Sequence, residues 1–281
     1  MFKILKRQML TPNICKMVVS APRIAKSALP GQFLIVLANE EGERIPLTIS
    51  DYDREEGTVT IVTQLIGASS AAIIAKEEGE FFRDVVGPLG NPSAFVKMDK
   101  EALKGQRYIF IAGGLGRAPV YPQAKWLHDR GVAVDVIIGA RTKDLLIYTE
   151  ELGSACDNLY LCTDDGSVGF HGVGTACLED LVGNQGKEYT QAVAIGPMIM
   201  MKFATLTCKK LNIPIDVSLN MLMVDGTGMC GACRVTVAGK TRFACVDGPE
   251  FNGYDVDFDE AMRRLGQYKA EEAEVKAKYV K

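Results

Sequence analysis

Four residues near the carboxyl end have the types and spacing to hold a metal. Cys230 and Cys233 are two residues apart, Cys245 follows after eleven more, and Asp225 precedes Cys230 with four residues between. With a thiolate in place of Asp225 the run would read C-x4-C-x2-C…C, the plant-type spacing of a [2Fe–2S] cluster. Gly226, Gly228 and Gly231 interleave these donors. Glycine lets a loop approach an inorganic group closely, and such a loop can aim N–H groups at anionic sulfurs. Zinc competes, because three cysteines and a carboxylate make a tetrahedral donor set. Zinc ribbons, however, pair two C-x2-C knuckles, and Cys245 has no neighbouring cysteine. Use of the cysteines as small buried hydrophobes is the plainest alternative, and the polar, glycine-rich surroundings argue against it. The expectation is an iron–sulfur cluster with Asp225 as a hard fourth ligand that shifts the potential.

These donors need a support that returns the chain on itself. Residues 234–237 and 240–244 read as a hairpin turning at Ala238-Gly239, which brings Cys245 back to the first pair. Upstream, strands and helices alternate. Residues 108–112 (YIFIA) form an apolar strand, Gly113-Gly114-Leu115-Gly116-Arg117-Ala118-Pro119 follows, and a helix then runs on. Further strands read at 132–138, 159–163, 192–195 and 215–219. This pattern predicts a parallel sheet with right-handed crossovers and a nucleotide at the carboxyl ends of the strands. The glycine turn is not a strict GxGxxG, since Ala118-Pro119 stands where the last glycine would be. Three more carboxyl ends carry Arg141, the pair Asp164-Asp165, and Gly196-Pro197-Met198. Carboxylates beside an adenosine ribose repel a 2′-phosphate and bond a free 2′-hydroxyl, which favours NAD over NADP; Arg141 pulls the other way. Each of these loops also reads as an ordinary connection.

The first third has strand patterns at 13–20, 32–38, 45–50 and 58–64, punctuated by Pro30-Gly31, Glu41-Gly42 and Glu56-Gly57. Regular short strands of this kind predict a small antiparallel barrel. Arg44 heads the run Arg44-Ile-Pro46-Leu47-Thr48-Ile-Ser50, and its planar fork suits a phosphate. Gly67-Ala68-Ser69-Ser70 follows a strand and opens a helix over 71–76, offering free N–H groups and a positive dipole end to an anion. An edge arginine and an N-cap serine are the structural alternatives. Together the two motifs point to one shared pyrophosphate. The turn-rich stretch 87–92 closes the barrel, and 93–106 reads as a linker.

The 281 residues imply two domains and a small third. A net charge of −3 gives no support for nucleic-acid binding. No apolar run approaches the ~18 residues of a membrane span, and the start lacks the pattern of a signal peptide. Eight scattered cysteines suit a reducing cytoplasm, with Cys15, Cys156, Cys162, Cys177 and Cys208 as packed thiols. Only two histidines are present, so chemistry needing a histidine base is poorly supported. The last stretch, 253–281, reads as a charged helical tail.

With these motifs in view the chain resembles the ferredoxin–NADP reductase superfamily, a flavin-binding barrel followed by a nucleotide domain. The cluster segment narrows the resemblance to the branch containing the electron-transfer subunit of dihydroorotate dehydrogenase. Its D-x4-C-x2-C-x11-C form is similar to the small-subunit family of NADH-dependent reduced ferredoxin:NADP oxidoreductase, where an aspartate is one cluster ligand. The resemblance implies a β barrel plus α/β fold: an FAD-binding barrel over 1–98, a Rossmann-like NAD-binding domain over 99–220, and a small [2Fe–2S] segment over 221–252. It implies FAD at Arg44, Pro46, Leu47, Thr48, Ser50 and Gly67, Ala68, Ser69, Ser70. It implies NAD(H) at Gly113, Gly114, Gly116, Arg117, Ala118, Pro119 and Gly196, Pro197, Met198. The usual flavin motif Arg-x-Tyr-Ser is absent, with Thr48 and Ser50 in place of Tyr-Ser. The implied activity is an oxidoreductase relay in which a hydride passes from NADH to FAD and single electrons pass on to the cluster. The implied partner is a larger flavin and iron–sulfur subunit that binds NADP(H) and ferredoxin, in a heterodimer that bifurcates electrons. Pairing with dihydroorotate dehydrogenase is the first alternative. A zinc-stabilised nucleotide-binding regulator is the second.

Overall fold

The computed structural model describes residues 2–268; the charged end of the expected tail lies outside them. The amino-terminal part is an antiparallel barrel made of two sheets. One runs Asp51–Asp53, Thr58–Gln64, Ile14–Ser20, Phe2–Thr11, Phe81–Phe82, and the other Arg44–Thr48, Phe33–Leu37, Asp84–Leu89. Alternation explains the facing of Ile14–Ser20: Cys15, Met17 and Val19 are buried, and Lys16 and Val18 are less so. Phe2–Thr11 is the longest of the strands that the sequence pattern does not announce. Of its apolar residues only Ile4 is fully buried, and Lys3, Lys6 and Arg7 break the alternation.

The second part is a sheet in the order Phe170–His171, Asn158–Thr163, Ala133–Ala140, Arg107–Gly113, Gln191–Ile195, Ile215–Ser218, Glu250–Asn252. All pairings are parallel except the last. Residues 109–112 are completely apolar and buried because neighbouring strands flank them on both sides and helices cover both faces. Arg117–His128 and Thr149–Gly153 belong to one face; Gly174–Gly183, Met198–Lys210 and Phe258–Leu265 belong to the other. The strand order runs outward from Arg107–Gly113 in one direction and then resumes on its other side. The carboxyl ends of Arg107–Gly113 and Gln191–Ile195 therefore frame the topological switch point, where such sheets bind ligands.

The cysteine segment is not a separate bead. Its hairpin, Arg234–Val237 with Lys240–Phe243, turns at Ala238 and Gly239, both at positive φ. Cys233, Val235, Ala244 and Cys245 share one apolar core with Ile109, Ala194 and Met201 of the α/β domain and Phe33 and Ile35 of the barrel. The chain then supplies Glu250–Asn252 as the antiparallel edge strand beside Ile215–Ser218. No helix among the described residues is long and apolar enough to cross a membrane.

Glu250 fastens the three parts together. Its Oε1 accepts from Ser93 Oγ (3.0 Å), just after the barrel, and from Gln123 Nε2 (2.7 Å), on the helix Arg117–His128. Burial raises its carboxyl from the ordinary 4.5 to about 7, with Asp216 adding repulsion and the two donors offsetting part of the rise. A folded-state pKa above the unfolded one favours the protonated form on folding. The stabilisation is thus complete below pH 4.5 and is lost as pH rises through about 7. Glu250→Gln removes the charge and keeps the shape. Its melting temperature relative to wild type is expected to climb between about pH 5 and pH 8. A gap that stays constant over that range would contradict the assignment.

Candidate functional site

A cleft of about 440 Å³ lies between barrel and sheet at the switch point. Pro46, Leu47, Thr48 and Ser50 form its barrel wall. The strand Arg44–Thr48 is an edge strand, paired only with Phe33–Leu37, so Pro46 forfeits no ladder bond. Gly113, Gly114, Gly116, Pro119, Gly196 and Pro197 form the opposite wall. Ten sequence-selected residues thus meet in one place, although they come from two domains.

Gly116 is the tightest fit. A Cβ there would stand 2.0 Å from the carbonyl oxygen of Ile195. The first turn of Arg117–His128 therefore rests directly on the end of the neighbouring strand, and only glycine allows this. The cleft also contains residues that the sequence motifs did not single out: Gln64, Ile66, Ser218, Leu219, Met221, Met223 and Pro249. The signal for some of them was legible as the methionine-rich run 219–223 just before Asp225.

Other selected residues lie elsewhere. Arg117 is turned inward, 2 % exposed, with its guanidinium donating to the carbonyls of Leu145 and Gly139. It clamps the helix start to the next strand and is not free to reach a ligand. Its Nε finds no partner among the described residues, and burial lowers its pKa to about 10. Ala118 and Met198 are buried in the two helix starts. Arg44 is half-buried at the outer end of its strand, 3.6 Å from Asp84. Ser70 Oγ accepts from the N–H groups of Ile66 and Gly67 and donates to the Gly67 carbonyl, so it serves its own helix start. Ser69 bonds Glu43 (2.7 Å), and Gly67 and Ala68 belong to the same exposed corner. Arg141, Asp164 and Asp165 are exposed together on adjoining carboxyl ends, where Asp164 N donates to Ala140 O and Asp165 N to Arg141 O. Hydrogen bonds from Ser167 hold the Asp165 carboxyl below its ordinary value.

The cysteine loop brings two of its four candidate donors together, and among the described residues no group of three or more His, Cys, Asp or Glu side chains is placed to hold a metal ion. Cys233 and Cys245 lie with their sulfurs 3.3 Å apart and are 1 % and 2 % exposed, while Cys230 is exposed. Gly226 has φ +78°, and a Cβ there would strike Ile35 and Leu89 of the barrel. The loop is thereby pressed against the barrel. Asp225 Oδ1 accepts from Thr227 N–H (2.5 Å) and Oδ2 from Cys230 N–H (2.9 Å). These bonds, the one from Thr227 foremost, depress its pKa. In residue type, three thiols and a carboxylate depressed in pKa fit a thiolate-ligated iron–sulfur cluster, and the structure pairs two of them, Cys233 and Cys245. The donor set alone also fits zinc.

Comparison with known proteins separates the two metals. Residues 220–257 match the family of the iron–sulfur cluster binding domain of dihydroorotate dehydrogenase B. The chain is 60% identical to an uncharacterized protein in the adh 3′ region of Clostridium beijerinckii, over 97% of this chain and 92% of that one. It is 44% identical to a homolog of the dihydroorotate dehydrogenase B (NAD(+)) electron transfer subunit from Thermotoga maritima, over 96% of this chain and 92% of that one. It is also similar to a solved chain from work on flavin-based electron bifurcation in the NADH-dependent reduced ferredoxin-NADP oxidoreductase. There the TM-score is 0.91 at 41% identity, covering 100% of this chain and 98% of the other.

The packing at the switch point gives a direct test. Gly116→Ala is expected to cost at least about 3 kcal/mol in chemical denaturation, because backbone must move. Gly131→Ala, at positive φ but in open space, is expected to cost about 1–2 kcal/mol. Equal losses would show that the helix start tolerates displacement from Ile195.

Proposed function

This chain belongs to the family of dihydroorotate dehydrogenase B electron-transfer subunits and their homologues, and from that membership we infer that it is the electron-transfer flavoprotein subunit of an NADH-dependent oxidoreductase. It links a nicotinamide nucleotide, a flavin and an iron–sulfur cluster to a larger partner subunit. The observation that carries this reading is the whole-chain likeness, at 41% identity, to a chain of the bifurcating NADH-dependent reduced ferredoxin-NADP oxidoreductase. When bound, FAD accepts two electrons as a hydride and gives them up singly, and a [2Fe–2S] cluster carries one at a time.

The protein's share is placement. We assign the flavin ring to the cleft, with Pro46, Leu47, Thr48 and Ser50 along one wall and the bare backbone of Gly113, Gly114 and Gly196 opposite. Backbone without side chains lets a flat ring and a nicotinamide lie close. Leu47, Leu115, Leu219, Met221 and Met223 make the surroundings apolar, which keeps water from a reactive reduced carrier. Arg44 remains the residue for a flavin phosphate, at the expense of its contact with Asp84. Asp164 and Asp165 suit a ribose 2′-hydroxyl and so NAD(H), with Arg141 beside them. Arg117 is excluded from this set by its inward clamp.

For the cluster we propose Cys230, Cys233 and Cys245 as thiolate ligands and Asp225 as the fourth. Ligation at Asp225 replaces one of the two backbone bonds its oxygens now accept. The outer side of this loop exposes Leu222, Val224, Met229 and Val246. Apolar side chains gathered around an exposed ligand, Cys230, suit docking of the larger subunit at this edge. The family model's description favours dihydroorotate dehydrogenase as a second choice of partner. Asp225 speaks for the bifurcating type, because that family uses aspartate at this position.

Anaerobic titration of the purified chain decides the donor. NADH is expected to bleach the flavin absorbance and raise the EPR signal of a reduced cluster, while NADPH does neither. Reduction by NADPH alone would overturn the roles of Asp164 and Asp165. Asp225→Cys is expected to keep its iron and lower the midpoint potential, since thiolate donates charge to iron more strongly than carboxylate. An unmoved potential would remove Asp225 from the ligand set.

A further inference from the structure

The helix Phe258–Leu265 and the turn leading into it, Asp255–Asp257, are tied to the cysteine segment at four points. Glu260 Oε2 accepts from Thr236 N–H, Asp257 N–H donates to the Thr236 carbonyl, Ala238 N–H donates to the Asp255 carbonyl, and Arg264 Nη2 donates to the carbonyl of Ala232 (3.2 Å). Phe258 and Ala261 join the same core as Cys233 and Cys245. The Arg264 guanidinium therefore sits against the residue next to Cys233. Its Nε–H is closed off from solvent and has no acceptor among the described residues. Nor does Arg264 form an ion pair among them.

The Arg264 side chain is half-buried, and a closed-off N–H without an acceptor is costly. Negative charge at the cysteine loop offsets part of that cost by attraction to the guanidinium. A cluster held by three thiolates and a carboxylate carries such charge, and one-electron reduction adds a further negative charge. A fixed cation nearby stabilises the reduced form more than the oxidised form, and N–H donors directed at cluster sulfur act in the same direction. Resting on the cluster assignment above, we propose that Arg264 is a positioning residue of the cluster site: it holds the Ala232-Cys233 backbone in place and raises the reduction potential of the cluster.

The balance involves one electron. With the cluster bound, its one-electron reduction would make or break no bond to the protein, and Arg264 would keep its proton throughout. The test is an EPR-monitored redox titration of the full-length holoprotein as wild type, Arg264→Lys and Arg264→Gln, with iron and acid-labile sulfide measured in each. At a fixed ambient potential near the midpoint, Arg264→Gln is expected to show about a tenfold lower ratio of reduced to oxidised cluster, equivalent to about 59 mV for a one-electron couple. Arg264→Lys keeps the charge and loses the fork, so its ratio is expected between the two. An unchanged midpoint in Arg264→Gln at full iron content overturns the proposal. So does partial loss of iron with an unchanged midpoint in the clusters that remain, which would leave Arg264 a purely structural role. Should Arg264→Gln not accumulate in folded form, Arg264→Met, which keeps the apolar stem and removes the charge, is read by the same criterion, and an unmoved midpoint overturns the proposal there. Wild-type protein that takes up no iron and sulfide would instead overturn the cluster assignment, a failure visible before any variant is compared.

Discussion

The close approach of Gly116 to the carbonyl of Ile195 is the contact on which the cleft depends. Reversal of strand order leaves the ends of Arg107–Gly113 and Gln191–Ile195 side by side. A helix starting from the first must then pass over the second. With glycine at the crossing the two strand ends close up, and Gly113, Gly114, Gly196 and Pro197 present one backbone surface to the barrel. A side chain at the crossing would lift the helix and separate that surface into two loops. The remaining parts of the cleft are brought to it: the edge strand bearing Pro46 and Leu47 from one side, and the run from Ser218 to Met223 from the other.

The buried end of the cysteine segment shows a related economy. Cys233 and Cys245 do not form their own small core but share the one that begins at Ile109. A two-stranded hairpin is too small to hold itself rigid in water. This one borrows rigidity from the sheet through Glu250–Asn252, from the barrel through Gly226, and from the carboxyl-terminal helix through Glu260 and Arg264. Electron exchange between two carriers depends on their separation, and rigid attachment keeps that separation fixed.

Legibility in the sequence followed the physical source of each signal. Apolar strands flanked by turns were readable, and the strand Thr58–Gln64 falls at the expected residues. The iron–sulfur domain match over residues 220–257 falls on the spacing of Asp225, Cys230, Cys233 and Cys245, a signal legible because it is local. Phe2–Thr11 was not legible, since it buries only one side chain completely. Glu250–Asn252 was not, since a three-residue strand is defined by its partner, Ile215–Ser218, and that partner lies more than thirty residues upstream. Arg117 shows a different limit. Its residue type suits a phosphate, but its direction is set by the phase of a helix against a neighbouring strand, and no spacing rule reports that phase. Ser70 is the milder case: both a cap and an anion contact are written in the same glycine-serine turn, and the side chain takes the cap.

Chain connectivity supplies the last constraint. Met223 lines the cleft and Asp225 follows two residues later, so their Cα atoms are at most about 7 Å apart. The chain leaves the cleft wall at Met223, makes the cysteine loop and hairpin, and regains the wall at Pro249, four residues after Cys245. A ligand loop bracketed on both sides by cleft residues cannot drift from the cleft without dismantling it. The cleft and the cysteine loop are therefore neighbours by construction, because the stretch that completes the wall of one is the stem of the other. The exposed edge at Cys230 and Met229 is the part of the loop turned away from that stem. The same twenty-odd residues thus face inward to the cleft and outward to the surface, so one short stretch of chain connects the two.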